Sequence, residues 1–233
     1  MADPLALLSL AIAAAGGRLA GHEVGPLVAA GHTLLQRSAG LVRALAGRRT
    51  AILLPPDFRV LTALAASDGR GALLIDPSVA AAWPTNVLAD ALTAAHVGAL
   101  FTTRAHAAAA PAFASAFSGP VVWLDDAPAR AVVAEAGGER VIDLGSHFGL
   151  DLAGDSASEG LDEECLSVGG VWYTHRALLA AARTHAAAQG LTPMHWTYPI
   201  ASWSYDDLIH QMAILLQGGS VVFEARDETG AAR

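Results

Sequence analysis

Thr50-Ala-Ile-Leu-Leu-Pro-Pro-Asp57, followed by Gly71-Ala-Leu-Leu-Ile-Asp-Pro77, decides the fold. Each segment is a short apolar run stopped by a proline turn. A run of strand length without polar alternation suits a strand covered on both faces, as in a parallel sheet. Pro55-Pro56-Asp57 turns the chain and starts a helix that runs to about Ala66. Strand, helix, strand is the repeating unit of a parallel sheet.

The same rhythm extends outward. Thr33 to Leu45 carries Leu34, Leu35, Leu41, Val42 and Leu45 at helical spacing, and Gly47 stops it. Downstream, a helix near Thr85 to Ala95 leads to a strand at Ala99–Thr102. A helix at Ala105–Phe117 leads to a strand at Pro120–Leu124, and a helix at Pro128–Ala136 to a strand at Arg140–Asp143. The expected class is α/β, a mostly parallel sheet with helices on both faces. Gly145 to Glu164 is a polar break, read as a linker or an ordered excursion. It divides the chain into an α/β subdomain at 1–150 and a second, incomplete one at 151–233 packed on the first. The second holds an apolar stretch at Leu166–Tyr173, a helix at Arg176–Gln189 and a strand at Trp196–Ile200. A helix at Asp206–Gln217 and a strand at Ser220–Phe223 follow, then a tail at Asp227–Arg233 expected to fray.

The 233 residues include no lysine: all fourteen basic side chains are arginines, against 22 acids. Only 15% of residues are charged, below the usual quarter, and 53% are hydrophobic. A GC-rich genome accounts for the Ala/Arg/Gly bias and the missing lysine; a surface partly covered in an assembly would also lower the charge. The net charge of −8 argues against nucleic acid, because phosphate neutralisation needs clustered cations, and Arg48-Arg49 is the only basic pair. The single Cys165 excludes an internal disulfide framework and fits a reducing compartment. The N-terminus lacks a basic start, and no apolar run reaches the roughly 18 residues of a membrane span. A cytoplasmic protein is expected.

Four segments carry a family resemblance. Thr33 to Ala46 is similar to a helix that precedes a first core strand. Ala51-Ile-Leu-Leu-Pro-Pro-Asp-Phe58 is similar to a strand followed by Pro-Asn-x-x-Glu-Phe, with Gly71 to Pro77 after it. Gly170-Val-Trp-Tyr-Thr-His-Arg-Ala-Leu-Leu179 resembles Gly-Val-x-x-Thr-His-Arg-x-Leu-Leu. Gly190 to Pro193, continued by Leu215-Leu-Gln-Gly-Gly-Ser-Val-Val222, resembles a helix and strand reading Leu-Leu-x-Gly-Ala-x-Val-Val. In this order and spacing they resemble the N-terminal part of the adenylate-forming ligases, the AMP-binding family of acyl-CoA synthetases and peptide-synthetase adenylation domains.

The departures matter as much. The family's phosphate loop reads roughly Thr-Ser-Gly-Thr-Thr-Gly-x-Pro-Lys-Gly, in which glycines and hydroxyls let N–H groups wrap the phosphates and lysine adds charge. Here Gly169 stands where that lysine would be, several residues are missing, and Ser167, Gly169, Gly170 and Thr174 are the remnant. Asp162, Glu163 and Glu164 would repel triphosphate. The family also continues beyond the point corresponding to Arg233, with its adenine motif, ribose-binding aspartate and mobile C-terminal domain. The resemblance therefore implies a degenerate phosphate loop, no catalytic residue, no cofactor and no adenylation by this chain alone.

Other constellations are weaker. The aromatic cluster Trp196, Tyr198, Trp203 and Tyr205 could line an apolar pocket, with Ser202, Trp203, Tyr205 and Asp206 as the substrate-facing set. A helix N-terminus welcoming acids explains Asp206-Asp207 equally well. Thr174-His175 reads as an N-cap and a packed histidine. His175, His185 and His195 lack the close pairing of zinc ligands, so no metal is expected. Gly16-Gly17 and Gly137-Gly138 lack a dinucleotide fingerprint. The leading expectation is a non-catalytic binding or assembly module that keeps an acyl or aryl pocket. The alternative is one half of a split acyl-activating ligase with a partner chain; a decayed gene product that still folds is the third reading. A homodimer or a separate ligase fragment is the expected partner, with Trp203 and Tyr205 at the contact. Neither nucleic acid nor membrane is expected as a partner.

Overall fold

The computed structural model describes residues 8–67, 70–112, 117–145, 161–197 and 203–222. Helix α1 (Leu8–Ala15) is followed by β1 (Arg18–Leu19), β2 (His22–Glu23), α2 (Val24–Arg37) and α3 (Ala39–Ala44). Then come β3 (Arg49–Leu53), α4 (Arg59–Ala66), β4 (Ala72–Ile75), α5 (Pro77–Ala82), α6 (Thr85–Ala94) and β5 (Val97–Thr102). After α7 (Arg104–Ala109) and β6 (Val121–Trp123), β7 (Arg130–Glu135) and β8 (Gly138–Asp143) form one hairpin. A second hairpin joins β9 (Glu164–Val168) to β10 (Val171–Thr174). The last described elements are α8 (His175–Gln189), β11 (Trp196–Thr197), α9 (Tyr205–Leu216) and β12 (Ser220–Val221).

The main sheet has eight strands in the order β10-β9-β4-β3-β5-β6-β7-β8. Its centre, β9-β4-β3-β5-β6, is parallel, and an antiparallel hairpin closes each end. Side chains alternate between two cores. Ile52, Leu74 and Phe101 face a large core with α1, α2, α4, α8 and α9, while Ala51, Leu53, Ile75 and Leu100 face a smaller one with α5, α6 and Ala110, just after α7. The chain passes from β3 to β4 through α4 on the first face. It returns past β3 to β5 through α5 and α6 on the second. Right-handed crossovers in opposite directions demand opposite faces. The direction therefore switches between β3 and β5, and their C-terminal ends flank the crevice where α/β sheets hold ligands. Strand β9, from beyond residue 150, pairs in parallel with β4, so one sheet draws on both sides of the polar break. A smaller sheet, β11-β12-β1-β2, lies beside it in sequence with α9 and α1.

Several expected elements differ. The helix expected at Thr33–Leu45 begins at Val24 and is interrupted at Ser38, whose hydroxyl accepts from Leu41 N and caps a new helix. Helix α5 was not anticipated; Asp76 caps it and Pro77 occupies its first turn. The expected helix at Pro128–Ala136 is strand β7. Ala131 and Val133 are buried while Arg130 is exposed and Val132 and Ala134 are half-buried, a period of two that fits a strand between β6 and β8. Most of the Gly145–Glu164 break, part of the Ala105–Phe117 helix, the ends of the strands expected to reach Ile200 and Phe223, and the tail lie outside the described residues.

Candidate functional site

Ser167, Gly169, Gly170 and Thr174 all fall on the β9–β10 hairpin. Val168 pairs with Val171, so Gly169-Gly170 is a two-residue turn, with φ of +60° and +83°. A tight hairpin turn of the I′ kind needs positive φ at both central residues, which glycine adopts without a Cβ clash. The Ser167 hydroxyl is fully buried and has no hydrogen-bond partner among the described residues. The Thr174 hydroxyl accepts from Ala177 N at 3.1 Å and caps α8. Pairing commits the N–H groups of β9 that face β10 and β4, and the alternate N–H groups of β10 that face β9, while the rest of the edge strand β10 points outward in a row; a phosphate cradle needs several N–H groups that converge.

Two of the three acids beside this hairpin are matched by arginines. Arg176 forms a forked pair with Asp162, at 2.6 and 3.1 Å, and these hydrogen bonds hold the Asp162 carboxyl below the usual range. Glu164 pairs with Arg49, whose guanidinium lies 4.1 Å over the Trp172 ring. The repulsion expected from Asp162 and Glu164 is thus partly neutralised locally. His175 is buried at the start of α8, and its Nδ1 accepts from Leu8 N at 3.1 Å, tying α1 to the core.

Helix α9 carries the other designated residues. Ser204 caps it, accepting from Asp207 N and donating to Asp207 Oδ2 at 2.6 Å. Asp206 is exposed in the first turn, and Ser202 lies outside the described residues. The Tyr205 ring stacks on Tyr173 at 4.8 Å, which brings the start of α9 against β10. Trp203 turns inward: its indole N–H donates to Leu54 O at 2.9 Å. Met194 and Trp196 are therefore the more exposed large apolar side chains at this end.

Trp203 helps line a cavity of about 50 Å³ between α1, α4 and α9. Ile12, Leu61, Leu74 and Met212 make its walls apolar, and Asp57 and Gln211 bring a carboxyl and a carboxamide to it. Gln211 is 8% exposed, and its Nε2 has no hydrogen-bond partner among the described residues. Asp57 follows β3 at the crevice. It accepts from Arg59 N at 2.7 Å and pairs with Arg59 Nη1 at 2.9 Å. Burial pushes its carboxyl above the usual range, against the pull of Arg59. Across the crevice, His106 Nδ1 lies 2.8 Å from Thr103 Oγ1, and burial lowers the basicity of its ring. Sequence reading missed both Asp57 and Gln211. The signal for Gln211 was its place among Leu208, Met212 and Leu215, a polar residue on an apolar helix stripe.

A larger cavity of about 570 Å³ sits at the other end of the central strands, beside the starts of β3, β4 and β5, lined by Arg48, Arg49, Arg70 and His96. It touches none of the designated residues. Arg48, Arg70 and His96 follow the C-terminal ends of α3, α4 and α6, where cations complement the helix dipole. Among the described residues, no group of three or more His, Cys, Asp or Glu could hold a metal.

No family model matches this sequence, and no curated protein matches it. Solved structures do match its shape. VinN in complex with 3-methylaspartate superposes with a TM-score of 0.65 at 14% identity, over 93% of this chain and 61% of that one. The nonribosomal peptide synthetase FmoA3 gives 0.64 at 16% identity, over 98% of this chain and 24% of that one. An amide bond synthetase from Marinactinospora thermotolerans gives 0.63 at 18%, over 93% and 43%.

The fold is that of the adenylate-forming enzymes. The chain spans only part of the length of these proteins, from 24% to 61%. The shared fold covers both the parallel sheet and the segment that carries the short hairpin. No described helix is long and apolar enough to cross a membrane.

Proposed function

We propose that this chain is a binding module with the adenylate-forming fold, which holds a small acyl group and does not itself activate it with ATP. The observation that carries the reading is the two-residue Gly169-Gly170 turn, at the point where the resemblance places a phosphate loop. A transferring phosphate needs preorganised cations and N–H donors. The chain has no lysine to offer, and the nearest arginines, Arg49 and Arg176, are engaged by Glu164 and Asp162. The apolar cavity beside Trp203 supplies the complementary half of the reading, a place for an acyl chain. Exposed Met194 and Trp196 support a role in assembly as well.

Losing several charge-assisted bonds of about 1.5–3 kcal/mol each weakens ATP binding by several powers of ten. Titration calorimetry with Mg-ATP is expected to give no heat of binding at micromolar ligand. Pyrophosphate exchange over a panel of carboxylic acids is expected to stay at background. Micromolar ATP affinity, or acid-dependent exchange by this chain, would refute the reading. Exchange that appears only when a second polypeptide is added would instead favour one part of a split ligase.

A further inference from the structure

The cavity beside Trp203 has a chemistry that discriminates between forms of an acyl group. Its walls are apolar, and no cationic side chain lines it among the described residues. Arg59, the nearest guanidinium by sequence, is turned to Leu124 O at 3.0 Å and to Asp57. Among the described residues the one ionisable group on the wall is itself an acid, Asp57. A free carboxylate entering here would lose its hydration and gain no cationic partner of its own, because Arg59 is already engaged by Asp57 and Leu124 O. An uncharged carbonyl compound meets none of these penalties. Gln211, buried on α9, adds a carboxamide whose Nε2 lacks a partner among the described residues, and a buried unsatisfied donor is costly until something accepts from it. The two ends of a carboxamide are not distinguished by shape, so the best complement is a group that can both accept and donate: another amide.

Size narrows the choice. An apolar protein cavity of about 150 Å³ takes benzene. This one is about 50 Å³. At a third of that size it suits an acyl group of about two carbons and not an aromatic ring.

We infer that the cavity binds a short-chain, uncharged acyl derivative through the carboxamide of Gln211, an amide in preference to the free acid. This rests on the reading of the chain as an acyl-binding module and names which form of the acyl group it takes. It places the protein beside reactions that make or consume an acyl amide or ester, not at the step that first captures a carboxylate.

The test uses the full chain and four probes, acetamide, methyl acetate, sodium acetate and benzamide, titrated at pH 7 and followed by amide NMR shifts around α9 and α4. Acetamide is expected to bind at least about tenfold more tightly than acetate, with the ester between them and benzamide weakest. Gln211→Leu, which keeps the bulk and removes the carboxamide, is expected to cost acetamide about tenfold and to change acetate little. Met212→Phe, which fills the cavity from the same helix, is expected to abolish every response; circular dichroism confirms that each variant stays folded. Acetate binding as tightly as acetamide, in a manner that Met212→Phe abolishes, overturns the preference and leaves the acyl-binding reading standing. So does indifference of acetamide to Gln211→Leu. No response to any probe that Met212→Phe removes overturns both.

Discussion

Two hairpins close the two ends of the main sheet, and they are built alike but embedded differently. Both turn through two residues, Ala136-Gly137 between β7 and β8 and Gly169-Gly170 between β9 and β10. Strand β8 has Ile142 as its one buried residue, and its Val141 is 64% exposed. It is held at the rim by Arg104–Glu139 at 2.8 Å and by Arg37 Nη1 donating to Asp143 O at 2.9 Å. Charges along an outer strand also discourage pairing with another chain. Strand β9, by contrast, buries Cys165, Leu166, Ser167 and Val168 between β4 and β10. Its partner β10 runs into the cap of α8 and stacks Tyr173 on Tyr205. The difference teaches where turn length has consequences. The rim hairpin could lengthen without disturbing a core. At the inner hairpin β9 is fixed by burial, so a change in loop length there is felt by the core beside it.

The sharpest way to break this contrast is to truncate one side chain from each hairpin. Leu166 is fully buried in the large core, and Leu166→Ala is expected to cost about 2–5 kcal/mol in urea denaturation. Val141→Ala is expected to stay within about 0.5 kcal/mol. Similar costs at the two sites would mean that the hairpins are embedded alike.

A second pair of substitutions isolates the backbone. A Cβ at Gly169, Gly170 or Gly137 would meet nothing within 4 Å, so packing is not at stake in any of them. Gly169 and Gly170 have positive φ, and Gly137 does not. Gly169→Ala and Gly170→Ala are each expected to destabilise by about 1–2 kcal/mol, and Gly137→Ala by much less. If Gly169→Ala is neutral, the hairpin can relax its turn, and the claim that the short loop is rigidly set fails.

The parallel centre of the fold was legible because apolar runs such as Ala51–Leu54 and Ala72–Ile75 need burial on both faces, and only one class of sheet provides it. Strand β8 was legible at Arg140–Asp143 but β7 was not, because Ala131 and Ala134 favour a helix while Val132-Val133 favour a strand; pairing with β6 settles the choice. Sequence singled out Gly169 and Gly170 but not the shape they take, since their positive φ follows from the register of Val168 with Val171. The cavity groups were the least legible. Asp57 read as a turn residue, and only the crossing of α1, α4 and α9 brings it to the same cavity as Gln211.

The smallest expected effect concerns the layer that covers the inner hairpin. His185 on α8 and His210 on α9 meet with Nε2 and Nδ1 3.0 Å apart, rings edge to face. That contact needs one ring nitrogen to donate and the other to accept; two imidazolium rings have only donors and cannot make it. Burial first, and then the neighbouring His185, lower the pKa of His210 from its ordinary 6.5, with Asp207 opposing. The native state therefore favours neutral His210, while the unfolded chain takes up its proton near 6.5. Stability linked to this group is fully present above that pH and is lost as the pH falls from 6.5 through the lower folded value. His106, also lowered by burial, acts in the same direction, so its share must persist in any His210 variant. Thermal unfolding between pH 7.5 and 5 is expected to show a falling Tm, and His210→Gln is expected to make the fall shallower without removing it. Hydrogen exchange should place the acid-linked loosening on α8, α9 and the β9–β10 hairpin before the β7–β8 hairpin. A His210→Gln profile that tracks the wild type would remove the histidine pair as its source. Loosening that begins at β7–β8 would reverse the ranking of the two hairpins.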